Sequence, residues 1–152
     1  MIKTESEYQE CLKRLKQDDE HIEEQRKALK KAGLKSEEIK RALEPSLSFN
    51  EQLKEEVEWY ERVKRRDFDI LQNLSGLGRL LIALRISNDM SQSDLAKRLK
   101  VDVSSVSRDE RNEYHGITVE RAQKILNAMG EKLSSTVIEK SIDIEDRTLV
   151  SA

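Results

Sequence analysis

The sequence predicts an all-α protein built in two units: an antiparallel helical hairpin over residues 1–68 and a set of short packed helices over 69–130, followed by a tail at 131–152. Three observations predict it. Apolar residues recur at spacings of three, four and seven, the period of a helix face. Ser or Thr followed three residues later by an acidic residue marks repeated helix starts. With 36% hydrophobic, 4% aromatic and 38% charged residues, the chain suits elongated helices with a modest core better than one large core.

In the first unit, Thr4 with Glu7 makes a capping box, and Tyr8, Leu12, Leu15, Ile22 and Leu29 form a stripe that runs to about Ala32, ended by Gly33. Asp19 and Arg26 interrupt that stripe, so its seam is thin and needs a partner. Ser36 opens a short helix through Ile39 and Leu43, closed by Pro45. Ser48 and Glu51 then read as a further capping box, opening a helix to about residue 66 with Phe49, Leu53, Val57, Tyr60 and Val63 on its apolar face and Trp59 beside it. Alternating Glu and Lys on the other faces make solvated i,i+4 pairs rather than a carboxylate site.

Phe68 to Gly78 is a joint. Beyond it, Leu77, Leu80, Leu81 and Leu84 form the first stripe of the second unit, which stops near Asn88-Asp89. Ser91 with Asp94 starts the next helix, carrying Leu95, Ala96 and Leu99. A turn at Lys100-Val101-Asp102 leads to a helix whose clear inward residue is Val106, with Val103, Ser104, Ser105, Ser107 and Arg108 left to face elsewhere. This is a helix-turn-helix, and a second helix so polar fits the major groove of DNA. Thr118 caps a last helix with Ala122, Ile125, Leu126 and Met129, stopped by Gly130. A short β-strand is expected over 132–140, from Leu133, Val137, Ile138 and the Ser/Thr between them, and could pair across a twofold axis.

The segment from Leu77 to Gly130 resembles the XRE family, the lambda-repressor-like helix-turn-helix regulators. With Gln92 as the first position of the motif, Leu95, Ala96, Leu99, Val101 and Val106 match its apolar and small positions. Two positions depart from it. Lys100 stands where a glycine usually takes the turn, so a left-handed backbone there would cost roughly 1–2 kcal/mol. Asp109 stands where the family buries an apolar residue, which implies a rotated, frayed or cation-paired helix end.

The resemblance implies roles residue by residue. Val103 would touch a thymine methyl, Ser104 would bond to a base or phosphate, and Arg108 would bind guanine O6 and N7. The competing role for Arg108 is a surface ion pair with Glu110 or a neighbour. Gln92, with the backbone N–H groups beside it, would hold a phosphate, although Ser91 alone could cap that helix. Arg111, Asn112 and His115 would form a second phosphate cluster, whereas Lys97 and Arg98 read as a solvated face. Arg85 and Glu110 match a structural ion pair between the first helix and the end of the recognition helix.

The formal net charge of −2 argues against charge-driven nucleic-acid binding. Cations outnumber acids only in 69–130, a weak bias that suits a dimer contacting a few phosphates per subunit. Catalysis finds little support. His21 and His115 lie on different units, Cys11 sits beside the first stripe as a small core residue would, and Ser104, Ser105 and Ser107 lack a nucleophile-elbow context. No metal or cofactor motif is present. One cysteine permits no internal disulfide, and without an apolar span or a signal peptide's apolar region the expected location is cytoplasmic.

The resemblance therefore implies a transcriptional regulator, a repressor, that binds a palindromic double-stranded DNA operator as a homodimer. Small XRE proteins are often HigA-like antitoxins of type II toxin–antitoxin modules that repress their own operon, in which case the hairpin would supply dimerisation, toxin binding or both. The competing readings are a helical-hairpin interaction adaptor with vestigial DNA binding, and a phage repressor.

Overall fold

Thr4 opens the first helix with a reciprocal cap: the Glu7 N–H donates to Thr4 Oγ1 at 3.2 Å, and the Glu7 carboxylate accepts from the Thr4 N–H at 3.2 Å. The protein is described over residues 1–137 by a computed structural model. It contains six helices among those residues: α1 (Glu5–Lys31), α2 (Ser36–Lys64), α3 (Leu77–Ser87), α4 (Gln92–Leu99), α5 (Val103–Arg111) and α6 (Val119–Met129).

Helices α1 and α2 form the antiparallel hairpin, turning at Gly33. The short helix and the later long helix expected from Pro45 are one continuous helix, with Pro45 inside it. Proline withholds a donor from the Arg41 carbonyl and crowds it, at a cost of about 3 kcal/mol. The stripe outweighs that cost. Ile39, Leu43, Ser46, Asn50, Leu53, Val57 and Tyr60 recur at alternating spacings of four and three across the proline, and all are buried or half-buried. Each fully buried large apolar side chain among them contributes roughly 1.5–3 kcal/mol, and a break at Pro45 would set the two halves out of phase against α1. The Ser48–Glu51 pair is consequently mid-helix rather than a cap, and Phe49 is not on the apolar face: it is 45% exposed, beneath the Arg14 guanidinium at 4.7 Å.

The thin seam of α1 has a polar answer on α2. Asn50, 2% exposed, donates to Asp19 Oδ1 at 3.1 Å, so the acid that interrupts the stripe meets an amide rather than a void. At the base of the hairpin Tyr8 stacks on Tyr60 at 4.8 Å, and their hydroxyls donate to Glu61 and Glu5.

One core joins the hairpin base to the short helices. Ile2, Val57, Tyr60 and Val63 pack in the same buried cluster as Leu81, Ile82 and Ile86 of α3, Leu95 of α4, Val106 of α5 and Ile125 of α6. The connection between α2 and α3 holds only an isolated bridge, Gln72 to Ser75. Gly78 is required by close approach: a Cβ there would lie 1.8 Å from the Glu113 carbonyl oxygen. No strand occurs among the described residues. Lys132 to Val137 has no regular structure, which removes the first part of the strand expected over 132–140, and residues 138–140 lie outside the described range. Nothing in that segment gives it a pairing edge, since every neighbouring element is helical.

Candidate nucleic-acid interface

Helix α4 begins at Ser91, whose Oγ accepts from the Asp94 N–H at 3.1 Å while the Asp94 carboxylate accepts from the Ser91 N–H at 3.0 Å. The Ser91 hydroxyl, and after it the Ser91 N–H, hold the Asp94 carboxyl below the usual carboxylate range. Leu95 and Ala96 face the core. The helix stops at Lys100, which takes the left-handed turn with φ 58° and ψ 46°. The turn is closed by two backbone bonds, Lys100 N–H to Lys97 O at 3.2 Å and Val101 N–H to Ala96 O at 3.0 Å. The glycine position of the motif is thus filled by a strained lysine, with the geometry of the turn kept.

Helix α5 turns Val106 and Glu110 inward, at 1% and 0% exposure. Ser104, Arg108 and Arg111 follow at i, i+4 and i+7 on the opposite, exposed face. Val103, at the first helical position, borders the buried stripe but is 49% exposed. Among the described residues Arg108 forms no ion pair with Glu110 or any other acid, because Glu110 points into the core. Asp109 is paired with a cation: Arg121 Nη2 of α6 reaches its Oδ2 at 2.6 Å.

Helix α5, the expected recognition helix, is anchored by Arg85 and Glu110. Arg85 Nε donates to Glu110 Oε1 at 2.5 Å and Nη2 to Oε2 at 2.7 Å, a bidentate pair with 3% and 0% side-chain exposure. Arg85 Nη1 donates to the Met90 carbonyl at 2.8 Å. Removing either partner would strand a buried charge, which costs about 3–5 kcal/mol.

Gln92 lies at the first position of α4, and its amide donates to Glu110 Oε2 at 2.8 Å. Its side chain is thus braced against the end of the recognition helix, beside the groove that Lys3, Lys64 and Ser93 also line. Arg111, Asn112 and His115 lie together along a different open groove, with Arg79 and Val119. That groove is walled by the loop after α5, in which Glu113 and Tyr114 both take left-handed backbone, φ 49° and 53°. Tyr114 is buried, and burial, with the Glu110 carboxylate second, pushes its phenol well above the ordinary range.

Three participants escaped the sequence. Lys3 enters the Arg85–Glu110 network from the far end of the chain, and no local pattern signals that. Arg79, at the start of α3, stands over the Trp59 ring at 5.9 Å and lines the same groove as Arg111 and His115. Arg121 was legible in principle, since an acid at an apolar motif position calls for a cation on the packed neighbour.

A helix with an exposed polar face, set across a tight turn from a capped helix and locked into a small helical core, defines the helix-turn-helix class of DNA-binding domain. Residues 81–135 match the family model described as Helix-turn-helix, an XRE-type family of DNA-binding regulators. No curated protein and no solved structure matches the chain. Among the described residues, no helix is long and apolar enough to cross a membrane.

Proposed function

We propose that the protein is a sequence-specific transcriptional repressor that binds a palindromic operator as a homodimer. The observation that carries this reading is the face formed by Ser104, Arg108 and Arg111, exposed and free of ion pairs among the described residues on a helix whose opposite side is fixed by Arg85 and Glu110. Val103, Ser104 and Arg108 read bases. Gln92 on one side and Arg111, Asn112 and His115 on another hold phosphates. In the dimer the two recognition helices lie about 34 Å apart and enter successive major grooves on one face of the duplex. A gel shift on the DNA upstream of its own gene tests this. Binding weakens steeply with salt and is lost in Arg108→Ala, whereas no shift at low salt overturns the reading.

The hairpin is absent from a minimal helix-turn-helix domain, and we assign it to protein partners. In the HigA-like case the protein is the antitoxin of a type II module, repressing its own operon and holding the toxin through α1 and α2. Co-expression with the product of the adjacent gene decides it: a stable complex lost on disrupting the outer faces of α1 and α2 is the expected result. The adaptor reading with vestigial DNA binding rests on Lys100, Asp109 and the near-neutral net charge of −2, of which the two residues are local to the motif. Both are accommodated, one by a left-handed turn and the other by Arg121, which favours a working DNA-binding unit.

A further inference from the structure

The segment ahead of α1 is part of the helix-turn-helix interior. Ile2 is 2% exposed and belongs to the shared core. Lys3 meets the buried Arg85–Glu110 pair twice. Its carbonyl accepts from Arg85 Nη2 at 3.1 Å, and its Nζ donates to the Glu110 carbonyl at 2.7 Å.

The second bond is the informative one. Glu110 lies in the last turn of the recognition helix, where backbone carbonyls lack helical partners and the helix dipole favours a cation. The Glu113 N–H also donates to that carbonyl, at 3.1 Å. Lys3 is therefore a cationic C-terminal cap for the recognition helix, supplied from 107 positions away in sequence. The same glutamate receives the Gln92 amide on its side chain. Glu110 is thus a common fixed point for the helix that carries Arg108, for Gln92 and for the N-terminal segment.

We infer that Lys3 is a positioning residue for DNA reading, acting through Glu110 to set where Arg108 and Gln92 meet the duplex. The inference rests on the DNA-binding reading above. It makes the base of the hairpin a working part of the interface: a partner that shifts α1 moves Lys3, and so changes how well DNA is read.

The test uses the full chain and a duplex that the wild type selects from a random-sequence pool, alongside a mixed-sequence duplex. Lys3→Met keeps the alkyl chain and removes the ammonium, Lys3→Gln is the second variant should the first fail to fold, and Lys3→Arg restores the cation. The expected result is a loss of discrimination between the two duplexes of about tenfold in Lys3→Met, recovered in Lys3→Arg, with faster amide exchange along α5. Equal weakening on both duplexes makes Lys3 a simple phosphate contact and overturns the inference, as does an unchanged ratio. Should the wild type select no duplex, the proposed function fails first. The exchange measurement then decides the inference by itself, and unchanged protection of α5 overturns it.

Discussion

Arg121 of α6 donates to Asp109 of α5 at 2.6 Å, so a position where the helix-turn-helix resemblance implies an apolar side chain is satisfied by an ion pair between two helices. The pair is only partly shielded, with side-chain exposures of 43% and 33%. Its contribution is correspondingly small, below about 1 kcal/mol. A double-mutant cycle with Arg121→Ala and Asp109→Leu measures it by urea denaturation, and Asp109→Leu alone is close to neutral. A coupling energy above about 2 kcal/mol would show that the contact carries the packing of α5 on α6 rather than decorating it.

Lys100 holds φ 58° at the turn between α4 and α5. An L-residue there costs roughly 1–2 kcal/mol, and part of the relief on mutation is offset by glycine's freer unfolded chain. Lys100→Gly therefore stabilises by about 0.5–1 kcal/mol, read as a higher urea midpoint with unchanged slope. Lys100→Val moves the midpoint the other way, because a branched Cβ is the least tolerant of that backbone.

Gly78→Ala has a different origin and a larger effect. The added methyl would sit 1.8 Å from the Glu113 oxygen and 2.7 Å from its carbonyl carbon, and backbone cannot yield as a flexible side chain does. The loop after the recognition helix must lift from α3, at about 3 kcal/mol or more. Thermal melts and DNA binding should both suffer, since Asn112 and His115 ride on that loop. A variant with wild-type melting and affinity would mean the loop has slack that the packing does not reveal.

Stability depends on pH at both extremes. The carboxyls of Asp94, Asp67 and Glu131 lie below the ordinary range, held there chiefly by Ser91, by Arg62 and by Arg66 with Asn88 respectively. A lowered folded value means the stabilisation is complete above the ordinary carboxylate range, near pH 4, and is lost as pH falls through the folded values. All three tyrosines are raised: Tyr8 chiefly by its bond to Glu61, and Tyr60, to about 12, and Tyr114 chiefly by burial. That stabilisation is complete below pH 10 and is lost as the phenols ionise above it. Chemical denaturation from pH 3 to 11 should give a plateau with two falling edges. In an ultraviolet titration the phenols should ionise late and together with unfolding, and a phenol titrating near pH 10 in the folded protein would contradict this.

Local chemistry made most of the helices legible. The caps at Thr4, Ser91 and Thr118 each accept the backbone N–H three residues on, as short polar side chains before an apolar stripe do. What local chemistry could not settle was the competition between a strong local signal and a distant surface. Pro45 is a strong stop, but the stripe that passes through it is matched by α1 in the fold's other arm, and that match lies outside any short window. Phe49 reads as core by type, although its place in the phase of the continuous helix turns it to Arg14. At the interface, the exposed face of α5 followed from spacing, whereas Gln92's brace on Glu110 and the contribution of Lys3 depend on which helix ends meet in space.

The contact between Lys3 and Glu110 also orders events during synthesis. Helices α1 and α2 close on each other through neighbours in sequence, so the hairpin can form as soon as both have been made. Ile2 and Lys3 then wait, one apolar and one charged, for a core that arrives only with residues 81–129 and for a carbonyl more than a hundred residues downstream. During that interval the growing chain displays a formed hairpin with an unfinished base. A partner specific for the hairpin can therefore meet the protein before it is able to read DNA.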